Sequence, residues 1–146
     1  MILKFLTKTD NLYHFKQYQN YLLAALFFLL LITSCKKGSG DGGDSTIKGF
    51  VHVTRYNSSF TVAQGSYYNA DEWVYIIYGD DVSYGDRTLT TPDGYFEFNY
   101  LRKGNYTVYV YSEDASVAGQ HAVSKTIEIT SSGHSIDAGT LEIKKH

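Results

Sequence analysis

The stretch "TTPDGYFEFNYLRKGNYTVYVYSED", residues 90–114, decides the fold class of this 146-residue chain. It begins with "TTPDG", which indicates a tight turn because proline presets its own backbone angle and glycine accepts a positive one. After the turn, large apolar side chains occupy alternate positions, first Phe96 and Phe98 and then Tyr106 and Val108. A period of two is typical of a strand with one buried face. The stretch therefore predicts two consecutive strands joined by the short turn "RKG".

The same stretch resembles the pattern of the transthyretin-like, or prealbumin-type, sandwich found as the carboxypeptidase regulatory-like domain. In that family a T-x-D-G-x-F/Y turn and strand precede L-x-x-G-x-Y and a β-branched strand. The opening "IKGFV" and the closing "DAGTLEI" also resemble strands of such domains, so the likeness spans most of residues 46–143. It implies that Leu101 and Tyr106 lie in the core, and it implies little about function, which resides in sites rather than folds. The matching residues are Thr91, Asp93, Gly94, Tyr95, Phe96, Leu101, Gly104, Tyr106 and Val108.

Short β segments separated by turn signals continue on both sides of this stretch. "TIKGFVHVT" alternates, and "EWVYIIYGD" is almost entirely β-branched or aromatic, as a central strand covered on both faces is. "DRTLTT", "AVSKTIEIT" and "SIDAGTLEI" bring the count of predicted strands to seven. We predict an all-β domain over residues 46–146, a seven-stranded Ig-like or transthyretin-like Greek-key sandwich.

The segment "RYNSSFTVAQGSYYNADE", residues 55–72, is longer than the usual link between the first two strands of such a sandwich. It carries Phe60, Tyr67 and Tyr68 among Ser, Asn, Gly and Gln, a composition typical of recognition loops. We therefore predict that these three aromatic residues belong to a binding loop. Because "SFTVAQ" alternates, part of the segment could instead be an edge strand.

Four further aromatic residues, Trp73, Tyr75, Tyr109 and Tyr111, fall on neighbouring predicted strands. They could form a flat aromatic surface that stacks on sugar rings or contacts another protein. They could equally be half-buried cross-strand pairs that stabilise the sheet. The sequence leaves both interpretations open.

The first 34 residues read as an export signal. Lys4, Lys8 and Lys16 make the start basic, and the apolar run "YLLAALFFLLLI", residues 21–32, is shorter than the roughly 18 residues of a membrane-spanning helix. A buried core helix is the alternative, although so uniform a run lacks a polar face. We predict that residues 1–34 are a cleaved signal peptide.

The tetrad Ile32, Thr33, Ser34 and Cys35 resembles the lipobox of bacterial lipoproteins, with Ile where Leu is typical. The resemblance implies cleavage before Cys35, lipidation of its sulfur and anchoring in a membrane. The alternative is a free or structural thiol, which would be reactive in an exported protein. "KKGSGDGGDS", which follows, predicts that residues 35–45 form a lipidated, flexible tether. Lysine directly after the cysteine resembles lipoproteins that are sent to the outer membrane.

The sequence contains no recognisable catalytic or cofactor-binding motif. The five histidines form no H-x-x-E or similar pair, and there is no G-x-S-x-G motif, so we predict no enzyme activity, no cofactor and no catalytic metal. Asp80, Asp81 and Asp86 could bind calcium, but they lack a regular ligand spacing and fit a solvated turn better. A net charge of −2 with scattered basic residues argues against nucleic acid as a partner.

These features together predict a lipid-anchored accessory or binding protein of the bacterial cell envelope, located at the outer membrane. Its partner would be an envelope protein or a glycan. The alternative is a purely structural spacer or adhesin-type module without a small ligand.

Overall fold

The computed structural model of the chain describes Gln19, Tyr21 and residues 38–146. Gly38–His146 forms one unit with eight strands and no helix, which confirms the predicted all-β class. Apart from Gln19 and Tyr21, the predicted signal peptide lies outside the described residues, and so does Cys35. Within the described part of the chain, no helix is long and apolar enough to cross a bilayer. The strands are β1 (Asp41–Tyr56), β2 (Ala63–Tyr68), β3 (Trp73–Tyr78), β4 (Asp86–Leu89), β5 (Tyr95–Leu101), β6 (Gly104–Asp114), β7 (Val117–Ile129) and β8 (Ser135–Lys145).

The strands form two four-stranded sheets in a sandwich-like arrangement. Sheet A is built around β1, whose 16 residues are long enough to serve three partners. β8 pairs with β1 in parallel, while β5 and β2 pair antiparallel with its first and second halves. Sheet B is antiparallel throughout, in the order β4, β3, β6, β7.

The core lies between the sheets and follows the predicted period of two. Each inward-facing residue removes apolar surface from water, which contributes about 1.5–3 kcal/mol for a large aliphatic or aromatic side chain. Leu101 is 1% exposed and Tyr106 is fully buried, so both predicted core positions are confirmed. The fully or almost fully buried side chains are Ile47, Val51, Val53, Phe96, Leu101, Leu141 and Ile143 in sheet A and Val74, Ile76, Tyr106, Val108, Val110 and Ile129 in sheet B.

The turns that the sequence singled out have structural roles. Tyr106 donates its hydroxyl hydrogen to the carbonyl oxygen of Arg102 at 2.6 Å, which closes the turn between β5 and β6. Gly94 has φ 72° and donates its backbone hydrogen to the Thr91 carbonyl at 2.8 Å. A side chain at Gly94 would place its Cβ 2.7 Å from the carbonyl oxygen of Val51. Glycine is therefore required at position 94 by backbone conformation and close packing on β1.

The predicted flexible tether is wrong for its described part, residues 38–45. β1 begins at Asp41, five positions before the predicted start of ordered structure at Thr46. Ser45 is fully buried, and a Cβ on Gly43 would overlap the carbonyl group of Leu101. The Gly-rich composition, which indicates flexibility in an isolated chain, here permits close contact with β5.

Residues 55–72 are also more ordered than the predicted binding loop. β2 pairs with the second half of β1 and is the eighth strand. The sequence left an edge strand over "SFTVAQ", residues 59–64, as an alternative, but of that stretch only Ala63 and Gln64 belong to β2. The turn before it is organised by Asn57, whose side-chain oxygen accepts the backbone hydrogens of Thr61 at 2.8 Å and Val62 at 3.0 Å. Asparagine favours such turns because its short side chain replaces a backbone acceptor.

Candidate functional site

The outer face of sheet B carries a cluster of aromatic side chains. On β3, Val74 and Ile76 point into the core, so Trp73 and Tyr75 point outward. β6 alternates in the same way and directs Tyr109 and Tyr111 outward. Together with Tyr84 these residues form what we call the aromatic surface: Trp73, Tyr75, Tyr84, Tyr109 and Tyr111.

Three of these rings pack against one another. Tyr75 and Tyr109 face each other across the strand pair, with centroids 5.0 Å apart and ring planes 14° apart. Tyr111 meets both rings edge-on at 5.6 Å. Stacked and edge-to-face contacts of this kind add about 0.5–1.5 kcal/mol per pair to what area burial provides. The three tyrosines thus form a rigid platform whose geometry is fixed before any ligand arrives.

Tyr84 is the member that the sequence did not identify. It lies in the connection between β3 and β4, where the backbone hydrogen of Gly85 bonds to the Ile76 carbonyl at 2.9 Å. That bond brings the connection back over β3, and the Tyr84 ring meets Tyr75 edge-on at 5.1 Å. Its side chain is 46% exposed. A tyrosine inside an otherwise acidic and Gly-rich turn was the available sequence signal.

Trp73 lies at another part of the surface and carries a charged neighbour. The guanidinium carbon of Arg87 is 4.1 Å from the Trp73 ring centroid, a cation–π contact. β4 pairs Arg87 with Tyr75 and Leu89 with Trp73, so these side chains continue the surface onto β4. Trp73 remains 39% exposed, which leaves part of the indole available for contact.

The Tyr109 hydroxyl is neutral at physiological pH. Burial, followed by the hydrogen bond and charge of Tyr111, raises the pKa of Tyr109 to about 12. Arg87 contributes a positive charge beside the Trp73 ring. Phenol and guanidinium groups offer hydrogen-bond donors at the rim, while the ring faces offer apolar area. Such a combination suits a ligand with both hydroxyl groups and exposed C–H faces.

The predicted loop residues lie elsewhere, on sheet A. Tyr68 pairs with His52 in register, and its ring meets Phe50 at 5.5 Å and the His52 ring at 5.2 Å. Tyr67 pairs with Val53 and points to the opposite side of β2. Tyr67 and Tyr68 therefore do not act together, and neither joins the aromatic surface. The sequence also missed Phe50, whose ring meets Tyr68 of β2 at 5.5 Å and Tyr95 of β5 at 5.6 Å.

Phe60 occupies a third location, next to the turn that Asn57 organises. Its ring stacks on Tyr56 at 5.8 Å and meets the His146 ring edge-on at 5.3 Å. The groove beside it has a volume of about 190 Å³, which is below the roughly 300–1,000 Å³ of small-molecule sites. The seven residues predicted to bind are thus divided among three parts of the domain, and four of them share one surface.

The acidic residues between β3 and β4 are not arranged as metal ligands. The Asp86 carboxylate accepts the backbone hydrogen of Arg87 at 2.7 Å. Among residues 38–146, no three or more His, Cys, Asp or Glu side chains are grouped so that they could hold a metal ion. The structure therefore offers no support for calcium at Asp80, Asp81 and Asp86.

Neither a protein-family model nor a curated protein sequence matches this chain. Among solved structures, it is similar to a Pseudomonas aeruginosa protein named a "putative carbohydrate binding protein", with a TM-score of 0.42 and 12% sequence identity. The similarity covers 73% of this chain and 92% of that one. A likeness of this size assigns no ligand to the present chain.

Proposed function

We propose that this chain is a lipid-anchored, non-catalytic glycan-binding protein of the bacterial cell envelope, at the outer membrane. In this proposal a transthyretin-like sandwich presents the aromatic surface of sheet B to its ligand. The observation that carries the proposal is a cluster of four rings in contact on this face, Tyr75, Tyr84, Tyr109 and Tyr111. Trp73 lies two positions from Tyr75 on the same face of β3. The lipobox-like tetrad ending at Cys35 supports the anchor.

A glycan fits this surface better than a protein partner does. Sugar rings present C–H faces that stack on aromatic rings and hydroxyl groups that bond to polar neighbours. Here Arg87 lies over Trp73, and Ser124 of β7 pairs with Tyr109 and is exposed. A protein interface of useful affinity usually has a well-packed central pocket. This surface is an open sheet face edged by polar groups.

A structural spacer or adhesin-type role is the alternative, and one observation favours it. The face-to-face packing of Tyr75 on Tyr109 stabilises the sheet whether or not a ligand is present. Under that alternative the rings would affect stability only, which separates the two functions experimentally.

The test uses the intrinsic fluorescence of Trp73, the single tryptophan of the chain. Peptidoglycan fragments and outer-membrane polysaccharide are titrated into the protein while tryptophan emission is recorded. We expect a saturable change in emission with at least one of them, and the same affinity in a Tyr68→Ala control, because Tyr68 lies on the other sheet. No emission change, together with no co-sedimentation with either material, would reject glycan binding.

The anchor is tested separately. Cys35→Ser should abolish lipid attachment, measured as the mass of the mature protein, and should release it from the membrane fraction. A Cys35→Ser protein that is still cleaved before residue 35 and still sediments with membranes would contradict the lipoprotein assignment.

A further inference from the structure

The chain leaves the sandwich at a defined place. The guanidinium group of Arg102 donates to the Gly38 carbonyl at 2.9 Å, and the backbone hydrogen of Arg102 bonds to the Gly40 carbonyl at 2.9 Å. Tyr78 donates its hydroxyl hydrogen to the Asp41 carboxylate at 2.8 Å. Gly38 is therefore held at the end of the sandwich that carries the β3–β4 and β5–β6 turns. We call this the anchor end.

The distance from this end to the proposed lipid is short. Two residues, Lys36 and Lys37, lie between Cys35 and Gly38, and the three steps from Cys35 to Gly38 span about 11 Å when the chain is fully extended. The headgroup layer of one leaflet is about 5–8 Å thick, taken as half the difference between the full bilayer and its hydrocarbon core. A flexible tether of ten residues would have allowed about 35 Å. The docking of residues 38–45 removes most of that freedom.

The anchor end exposes apolar side chains. Val82, in the β3–β4 turn, is fully exposed. Tyr100 precedes the β5–β6 turn and is 73% exposed, with its backbone held at φ 60°. A bulky residue rarely adopts this left-handed conformation, and such outliers gather at functional positions. Tyrosine is also a residue favoured at the membrane–water interface.

We propose that the anchor end rests on the membrane surface, with Val82 and Tyr100 in the headgroup layer. This inference depends on the lipid anchor proposed above. Asp80 and Asp81 precede Val82 and carry negative charge, while Lys103 in the β5–β6 turn carries positive charge. Because charges of both signs lie at this end, the contact suits a surface of zwitterionic phospholipid. The sandwich then stands upright on the membrane, because β1 rises from this end over about 50 Å.

The experiment uses the full chain, purified with its lipid from cell envelopes and carrying Val82→Cys or Tyr100→Cys. Ser58→Cys is the control, since Ser58 is exposed in the turn beyond the far end of β1. Cys35 is the only native cysteine, and a lipid on its sulfur would block it, so a thiol-reactive fluorophore labels the introduced cysteine alone. The labelled proteins are placed in phosphatidylethanolamine–phosphatidylcholine vesicles that contain quencher-bearing lipids.

We expect severalfold stronger quenching at positions 82 and 100 than at position 58 in these vesicles. Vesicle-bound protein with equal quenching at all three positions would overturn the orientation while the anchor remained. Protein that lacks lipid and does not bind vesicles would overturn the anchor and the orientation together. Protection of positions 82 and 100 in native envelopes only, and not in protein-free vesicles, would assign this end to a protein partner and also overturn the proposal.

Discussion

The hydroxyl oxygen of Tyr106 lies 3.0 Å from the backbone nitrogen of Gly40 and accepts its hydrogen. Sixty-six positions separate the two residues, and both are buried. One phenol thus joins the core of sheet B to the segment that leads towards Cys35. The hydrogen bond explains why residues that resemble a linker in sequence are part of the folded domain.

Replacing Tyr106 by phenylalanine should therefore affect the domain and its N-terminal segment together. Tyr106→Phe leaves the buried Gly40 nitrogen without an acceptor, which costs about 1–3 kcal/mol. We expect a lower denaturant midpoint and faster hydrogen exchange over residues 38–45. Tyr111→Phe is the matched control on the outer face. Unchanged exchange in residues 38–45 of the Tyr106 variant would contradict this role.

Truncation of Leu101 tests the core. Leu101→Ala should lower the free energy of unfolding by about 2–5 kcal/mol, because it leaves a cavity among residues of both sheets. Asp93→Ala, in the exposed turn, should cost less than about 1 kcal/mol. Both values follow from denaturant titration. Equal midpoints for Leu101→Ala and the parent would be incompatible with the observed burial of Leu101.

Substitutions at two residues of the aromatic surface should affect glycan binding and stability to different extents. Trp73→Ala should weaken glycan binding at least tenfold, read by co-sedimentation, with a change in stability of about 1 kcal/mol, because Trp73 is partly exposed. Tyr109→Ala should reduce both, since Tyr109 packs on Tyr75 and Tyr111. If Trp73→Ala keeps the parent affinity, the ligand is bound elsewhere.

The turn before β2 should depend on one side chain. Asn57→Ala removes acceptors for the backbone hydrogens of Thr61 and Val62 and should cost about 1 kcal/mol. Limited proteolysis should then cleave within residues 57–62 more rapidly. Ser58→Ala, next to it and exposed, should behave like the parent. Equal cleavage rates in the two variants would exclude an organising role for Asn57.

The pH dependence of stability should reflect Tyr109. Its pKa is raised from an ordinary value near 10 to about 12, first by burial and then by Tyr111. The folded protein therefore retains a proton on Tyr109 that the unfolded chain loses. The contribution of Tyr109 to the free energy of unfolding is complete below about pH 10 and is lost as the pH rises to about 12.

Ultraviolet titration of tyrosinate, compared between the parent and Tyr109→Phe, isolates this group. The comparison is needed because burial and the bond to Asp41 also raise the pKa of Tyr78. Tyr111→Phe should bring the Tyr109 pKa back towards 10. A parent in which Tyr109 ionises near pH 10 would show that the ring is not enclosed as the structure has it.

The local patterns predicted the sandwich correctly where alternation was strict. Phe96 and Phe98 are buried because a strand with one buried face leaves the sequence a single register that places them inside. Leu101 is out of phase with them and still faces the core, because the backbone at Tyr100 has φ 60° and departs from the strand conformation. The same alternation predicted that Tyr109 and Tyr111 point outward. Together with Trp73 and Tyr75 they make four of the seven predicted contact residues, and these four lie on one surface. Tyr84 escaped prediction because its place depends on how a turn folds back over a strand.

The sequence by itself determined the all-β class, the core positions of the central strands and four of the five members of the aromatic surface, since these depend on neighbours two residues apart. Only the tertiary structure decided that residues 38–45 are docked and that Tyr68 and Trp73 lie on different sheets. Those outcomes rest on partners far away in the chain, Tyr106 for Gly40 and His52 for Tyr68. Amino-acid composition indicates how flexible a segment is in isolation. Long-range hydrogen bonds and close packing determine whether the same segment is ordered in the folded domain.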